Sequence, residues 1–394
     1  MTLNSRTAAG QATPATRMRW PDVAKGLSII GVVLLHVSLA VPEGMSTTAA
    51  QINSLLDPLR MPLFFMVSGF FSAKVFGFTF RDLFLRRLWF FLVPYLLWVP
   101  IELWFKFQEW HRFDDKPMPG VDRYLEHIIE GRNMYWFLYA LVIFNVILWL
   151  TRKLPWWAGL LVGLAPILIL PLHAEQHMIG KAVLYLPAFL LGAHLRRHIR
   201  EFAETATSLR HLTRGTILYA AGFSLAAVWA WWNTVADVSL PWMLPFAETI
   251  GYSDVRLVVN SLVQLLMLPM AVIVAVLLGR VPVLNDVLAF LGRHTLVIYL
   301  GHPIALTVLY HYNVRGWQLP IGRDAESALL STSLWMIIGL LISAVGSLAL
   351  YLITRIPYLR WTIMPPQLGA ASRRPVSAAG ATAAAPTTAS VTTR

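Results

Sequence analysis

Runs of about 20 mostly apolar residues recur along this chain, each long enough to cross the hydrocarbon core of a bilayer as a helix. They start near Val23, Leu59, Leu88, Met134, Trp156, Lys181, Gly215, Leu257, Val287 and Leu329. Hydrophobic residues make up 57% of the sequence and charged residues 13%, whereas a soluble domain carries about a quarter charged residues. The expectation is an all-α, polytopic helical membrane protein with about ten transmembrane helices, embedded in a lipid bilayer. No stretch is long enough for a separate soluble catalytic domain, and no internal repeat is evident.

The flanks differ in kind. Residues 1–18 and 367–394 are rich in Ala, Thr and small polar types without apolar period, and read as disordered tails around a membrane domain spanning 19–366. The first run ends in Ser38-Leu39-Ala40, which resembles the cleavage site of a secretory leader. Asp22 argues against a leader, whose head is normally positive.

The 32 Lys and Arg exceed the 20 Asp and Glu, giving a net charge of +12. These basic residues gather in short loops between spans, where a positive-inside bias places them, and no nucleic-acid motif accompanies them. Nucleic acid is therefore not an expected partner. With the N-terminus inside, the inner segments collect about two thirds of the basic residues, so both termini are expected in the cytoplasm. The loop from roughly Gln108 to Asn133 then faces out, and its mix of acidic, basic and aromatic residues suits a folded cap. The chain has no cysteine, which excludes disulfides, thiolate nucleophiles and cysteine metal sites. "HAEQH" (His173 to His177) is not the His-Glu-x-x-His spacing of a zinc site, so no metal is expected.

Within the first run, "WPDVAKGLSIIGVVLLHVSLAV", stand Asp22, Lys25 and His36. Eleven residues at ~100° each bring Lys25 and His36 within ~20° of one another, separated by ~16 Å of helical rise. Lys25 then sits at one membrane interface, with Asp22 one turn away and able to pair with it, and His36 sits near mid-membrane. Ionisable groups at that depth are costly and normally face a bundle interior or a wet cavity. One reading gives His36 a single hydrogen bond to a neighbouring helix. The other makes it a general base, since neutral imidazole takes a proton near pH 7.

A basic residue, ten intervening positions and a histidine on the first span resemble acyltransferase family 3, the multi-spanning O-acyltransferases. "MPLFFMVSGFF" (Met61 to Phe71) is similar to the family's second-span motif, and "FLRRLWFFLVPY" (Phe84 to Tyr95) to its basic stretch before the third. "YWFLYAL" (Tyr135 to Leu141), "LPAFLLGAHLRR" (Leu186 to Arg197) and "LGRHTLVIYLGHP" (Leu291 to Pro303) resemble later motifs in the same order, over about residues 20 to 365. Lys25 stands where many relatives carry Arg; it keeps the charge and loses the bidentate fork.

The resemblance implies transfer of an acyl group, most often acetyl, from cytoplasmic acyl-CoA to a hydroxyl at the outer face, with acyl-CoA as donor substrate and no bound cofactor. His36 would act as base, with Lys25 and Asp22 at the inner mouth. Arg81, Arg86 and Arg87 form a basic cluster able to pair with CoA phosphates, or merely one that sets topology. Ser68 with Gly69 lets helix backbones approach closely; no nucleophile elbow surrounds Ser68. Trp136, Tyr299 and His302 are candidates to line the substrate pocket, with Trp136 equally an interfacial belt residue. The acceptor implied is a cell-envelope glycan or glycolipid, such as a surface polysaccharide or a trehalose mycolate, in a bacterial inner membrane. Any second transfer step would need a partner protein of envelope biosynthesis. The competing class is a glycan or lipid transporter or flippase with His36 in a proton relay; the chain lacks the paired Gly/Pro-broken spans that class uses.

Overall fold

The computed structural model describes residues 18–57, 60–325, 327–366 and 368. The two tails expected to be disordered fall outside the described residues, apart from Met18 and Leu368. So does Leu59, the expected start of the second span. The described chain is almost wholly helical; its strands are Ser239–Pro241 and Thr249–Gly251, one antiparallel hairpin.

Six helices are long and apolar enough to cross a membrane: α1 (Trp20–Ala40), α3 (Phe80–Asp114), α5 (Trp156–His173), α8 (Leu209–Val235), α9 (Tyr252–Leu278) and α12 (Thr332–Ile353). Two bent pairs raise the number to eight. They are α6 (His177–His194) with α7 (Arg196–Glu204), turned by 80°, and α10 (Pro282–Arg293) with α11 (Thr295–Gly316), turned by 75°. Two shorter apolar helices, α2 (Met61–Gly77) and α4 (Trp136–Leu150), occupy the places of the remaining expected spans. At ~1.5 Å per residue they fall short of the ~30 Å core. The protein is a multi-pass helical membrane protein; among the described residues six to eight helices qualify for a full crossing by length and composition, so the expected count of about ten is approximate.

The helix boundaries follow local chemistry. Pro21 sits in the first turn of α1, where its missing N–H costs nothing, and Asp22 follows it, favourable to the positive end of the helix dipole. Pro42 lies just past its end. Ser208 and Ser331 cap α8 and α12 by accepting bonds from the backbone N–H groups of His211 and Leu334. A π-helical turn at Phe84–Leu88 interrupts α3.

Two glycine contacts set the spacing around α1 and α2. A Cβ at Gly69 would lie 1.9 Å from the Phe189 carbonyl oxygen, and one at Gly192 equally close to that of Met66. Helices α2 and α6 therefore touch backbone to backbone, as Ser68-Gly69 leads one to expect. Gly26 and Gly292 do the same for α1 and α10, with a Cβ at Gly292 falling 1.8 Å from the Asp22 carbonyl oxygen.

The expected cap is folded. Helix α3 runs on to Asp114, and a separate helix, Val121–Ile129, lies against it. Phe107 meets Tyr124 edge-on at 4.8 Å, and the Tyr95 hydroxyl donates to the Ile128 carbonyl at 2.6 Å.

Candidate active site

Helices α1, α2, α3, α4 and α11 enclose a cavity of about 400 Å³, within the range of small-molecule sites. Lys25, Ile29 and Val32 line it from α1, Ser68 and Phe71 from α2, and Tyr299 from α11. These α1 positions are one helical row, and His36 is its next member, one turn beyond Val32. The shared face of Lys25 and His36 is thus the face turned to the cavity.

The two ends of the cavity differ in charge. Lys25, Lys74 and Arg87 gather at one end against the single carboxylate of Asp22; the walls beyond are apolar, with Ile29, Val32, Phe137 and Leu141. The Lys25 ammonium sits 4.7 Å from the centre of the Phe71 ring. Arg87 is held firmly: Nη2 donates to Ser72 Oγ at 2.6 Å and to the Ser68 carbonyl at 3.4 Å, and Nε donates to Asn145 Oδ1 at 3.2 Å. Its guanidinium also lies 5.3 Å from the Phe91 ring.

The three arginines of the basic stretch are placed differently, and of them only Arg87 lines the cavity. Arg86 pairs with Asp82 at 3.0 Å, and Arg81 is exposed; neither lines the cavity. Arg86 and Arg87 both lie in the π-helical turn Phe84–Leu88, and as consecutive helical residues they point in different directions, Arg87 inward and Arg86 towards Asp82. Lys74, absent from the sequence-based candidates, takes a place in the lining. Its one signal was position, at the end of α2 beside a basic stretch.

At the far end of the row, His36 Nδ1 lies 2.8 Å from His302 Nε2, with the rings edge to edge, their centres 5.0 Å apart and their planes within 12°. His302 is fully buried, and its Nδ1 is 2.8 Å from the Ile298 carbonyl oxygen. A carbonyl only accepts, so His302 Nδ1 carries the hydrogen. In a neutral ring its Nε2 must then accept, which makes His36 Nδ1 the donor. His36 Nε2 is left with its lone pair. His36 itself keeps partial exposure.

Tyr299 lines the cavity with its ring, but its hydroxyl is occupied: it donates to the Met134 carbonyl at 2.8 Å and accepts from the Phe137 N–H at 3.2 Å. It ties the start of α4 to α11. Trp136 is stacked on Tyr185 at 5.6 Å and carries the Lys181 ammonium 4.4 Å from its ring centre, so it belongs to an internal aromatic cluster. Ser68 faces the cavity, and its carbonyl receives Arg87. His173, of the "HAEQH" stretch, pairs with Asp254 at 3.0 Å. Among the described residues no group of three His, Cys, Asp or Glu is placed to hold a metal ion.

Neither His36 nor His302 is among the residues lining the cavity; the pair lies on the same face of α1, one turn beyond Val32. Residues 18–352 match the model of the family 3 acyltransferase domain. The chain belongs to acyltransferase family 3. The match takes in every helix of the cavity and both histidines, so the family assignment and the geometry concern the same part of the molecule. No curated protein and no solved structure gives a significant match. As a family 3 member the protein is a membrane acyltransferase.

Proposed function

We propose that this family 3 protein transfers an acetyl group from cytoplasmic acetyl-CoA to a hydroxyl of a bacterial cell-envelope glycan or glycolipid, in the inner membrane. The observation that carries this reading is the single row on α1, which joins a cationic cavity end at Lys25 to the imidazole of His36. Lys25, Lys74 and Arg87 would hold the CoA phosphates, with Arg87 pre-positioned by Ser72 and Asn145. Asp22 beside Lys25 would organise the mouth. The apolar walls would take the pantetheine arm, and Ile29 and Val32 would guide the thioester towards His36.

In the transfer step the acceptor hydroxyl gives its proton to His36 Nε2 as its oxygen attacks the thioester carbonyl. The new C–O bond forms, the C–S bond breaks, and the imidazolium proton passes to the departing thiolate. Both products are then neutral at the reacting atoms and His36 is reset. His302 touches neither substrate in this scheme. It is a positioning residue, which fixes the tautomer of His36 by accepting from Nδ1 as a triad carboxylate does for its histidine. Donor and acceptor approach from opposite membrane faces, which places both termini and the Lys25 end in the cytoplasm.

The direct test is incubation of membranes containing the protein with radiolabelled acetyl-CoA, followed by fractionation of the envelope. Label in a glycan or glycolipid fraction, removed by mild base as an ester, is the expected result. Label absent from every envelope fraction would overturn the reading.

A further inference from the structure

The double arginine that ends "LPAFLLGAHLRR" lies outside the donor cavity, and the transfer scheme gives it no part. Arg196, Arg197 and Arg200 of α7, with Met18 before α1 and Glu201, line a second cavity of about 380 Å³. Their arrangement suits an anion. Arg196 and Arg197 stand in the first turn of α7, which holds no acid. The positive end of a helix dipole disfavours cations at that place unless an anion joins them. Arg197 Nε donates to Glu201 Oε1 at 2.7 Å, and Arg200 Nε to Glu204 Oε1 at 3.1 Å. Both bonds use Nε, so among the described residues the terminal nitrogens of each guanidinium remain for the paired bonds that a phosphate accepts. Arg196, among the described residues, makes no ion pair; its guanidinium rests 5.1 Å from the centre of the Phe70 ring.

That contact joins the second cavity to the donor cavity. Phe70 meets Phe71 edge-on at 5.4 Å, and Phe71 lies 4.7 Å from the Lys25 ammonium. Two adjacent rings of α2 therefore stand between Arg196 and Lys25. The partition is rigid: Phe70 is fully buried and packs edge-on against Trp20 at 5.7 Å. The backbone contact of Gly192 with Met66 fixes the end of α6 against α2, and the 80° bend that follows sets the direction of α7. CoA carries its negative charge in two matching groups. A diphosphate adjoins the pantetheine arm, and the next unit, a ribose, bears a separate 3′-phosphate.

We infer that the second cavity receives the ribose 3′-phosphate of CoA, bound by Arg196 and Arg200 with Arg197 beside them. The inference rests on the proposed donor site and deepens it. Lys25, Lys74 and Arg87 are then the partners of the diphosphate. A pantetheine thioester on a carrier protein lacks the 3′-phosphate, so these arginines select a free CoA thioester as the acyl donor.

Calorimetric titration of the purified full-length protein in neutral detergent tests it, with CoA and dephospho-CoA as probes. The second probe lacks the 3′-phosphate alone. The native protein should bind CoA at least about tenfold more tightly, the scale of charge-assisted bonds to one phosphate. The three arginines are exposed, so this preference should shrink as salt is raised. Arg196→Gln combined with Arg200→Gln should lower it to about threefold or less, with dephospho-CoA affinity changed by no more than about twofold. A merely structural role would weaken both probes alike. If the double variant does not fold, Arg196→Gln and Arg200→Gln singly should each lower the preference by about threefold. A smaller preference in the native protein, a preference that survives the substitutions, or an equal loss of both probes overturns the inference. Arginines that serve a lipid phosphate instead would give no preference. The proposed donor site stands in each of these cases while both probes still bind the native protein; binding of neither overturns the donor site and the inference together.

Discussion

His36 and His302 are 266 residues apart in the chain and 2.8 Å apart at their ring nitrogens. The Ile298 carbonyl, 2.8 Å from the other nitrogen of His302, gives this pair a direction: hydrogens point from His302 to the backbone and from His36 to His302. His36 is thereby left with its lone pair on Nε2, the arrangement that the proposed role as base requires. A buried pair of this kind needs no acid to position it, which suits a membrane interior where an added carboxylate would be costly.

The first prediction follows from that direction. His302→Ala should lower kcat for acetyl transfer by about a hundredfold, the scale of a general-base contribution, with little change in KM for the donor. His302→Gln places an amide oxygen near the lost Nε2 and should recover much of the rate. Equal loss in both variants, with folded protein, would show that His302 matters for packing and not for the tautomer. Steady-state kinetics on reconstituted protein decide it.

Donor binding gives a second prediction, which separates the three arginines. Lys74→Met and Arg87→Lys should raise KM for acetyl-CoA by about tenfold and alter kcat less, the pattern of lost ground-state binding. Arg81→Gln and Arg86→Gln, at positions outside the cavity, should shift KM by no more than about twofold. A large effect at Arg81 or Arg86 and none at Lys74 would mean that the phosphates lie outside the cavity.

Part of this was legible from the residues. The shared face of Lys25 and His36 is fixed by helical periodicity, which a sequence displays directly, and the close approach at Ser68-Gly69 follows from the lack of a side chain at Gly69. The partner of His36 was not legible, because a contact across 266 residues leaves no local period. Choosing Arg87 over Arg86 was not legible either: it depends on how this stretch, with its π turn, is rotated against α2 and α4, which a sequence does not display. The number of crossings is legible only approximately, because the apolar helices of 15 residues in α4 and 17 in α2 look like spans by composition while being short by length.

Packing supplies a third prediction. Gly69→Ala and Gly192→Ala each put a Cβ against a carbonyl oxygen of the opposing helix, with no flexible side chain there to give way. Each should cost about 1–3 kcal/mol, the usual range for overpacking. A thermal midpoint several degrees lower in detergent is the expected readout. An unchanged midpoint would mean that α2 and α6 are further apart than 1.9 Å from Cβ to oxygen allows.

Orientation is the fourth. Single cysteines can be introduced into a chain that has none. A cysteine at Pro119, in the cap, should react with an impermeant maleimide in intact cells; one at Ser208, before α8, should react only after permeabilisation. The reverse pattern would invert the protein and place its donor cations on the wrong side of the membrane.

The central claim is that His36 takes the acceptor's proton, and the most direct measurement is acetyl transfer by His36→Ala. Purified, folded His36→Ala should bind acetyl-CoA with near-native affinity, because the cations at Lys25, Lys74 and Arg87 are intact. Its transfer of radiolabel to the envelope fraction should fall by at least about a hundredfold. Near-native labelling by a folded His36→Ala protein would contradict the account.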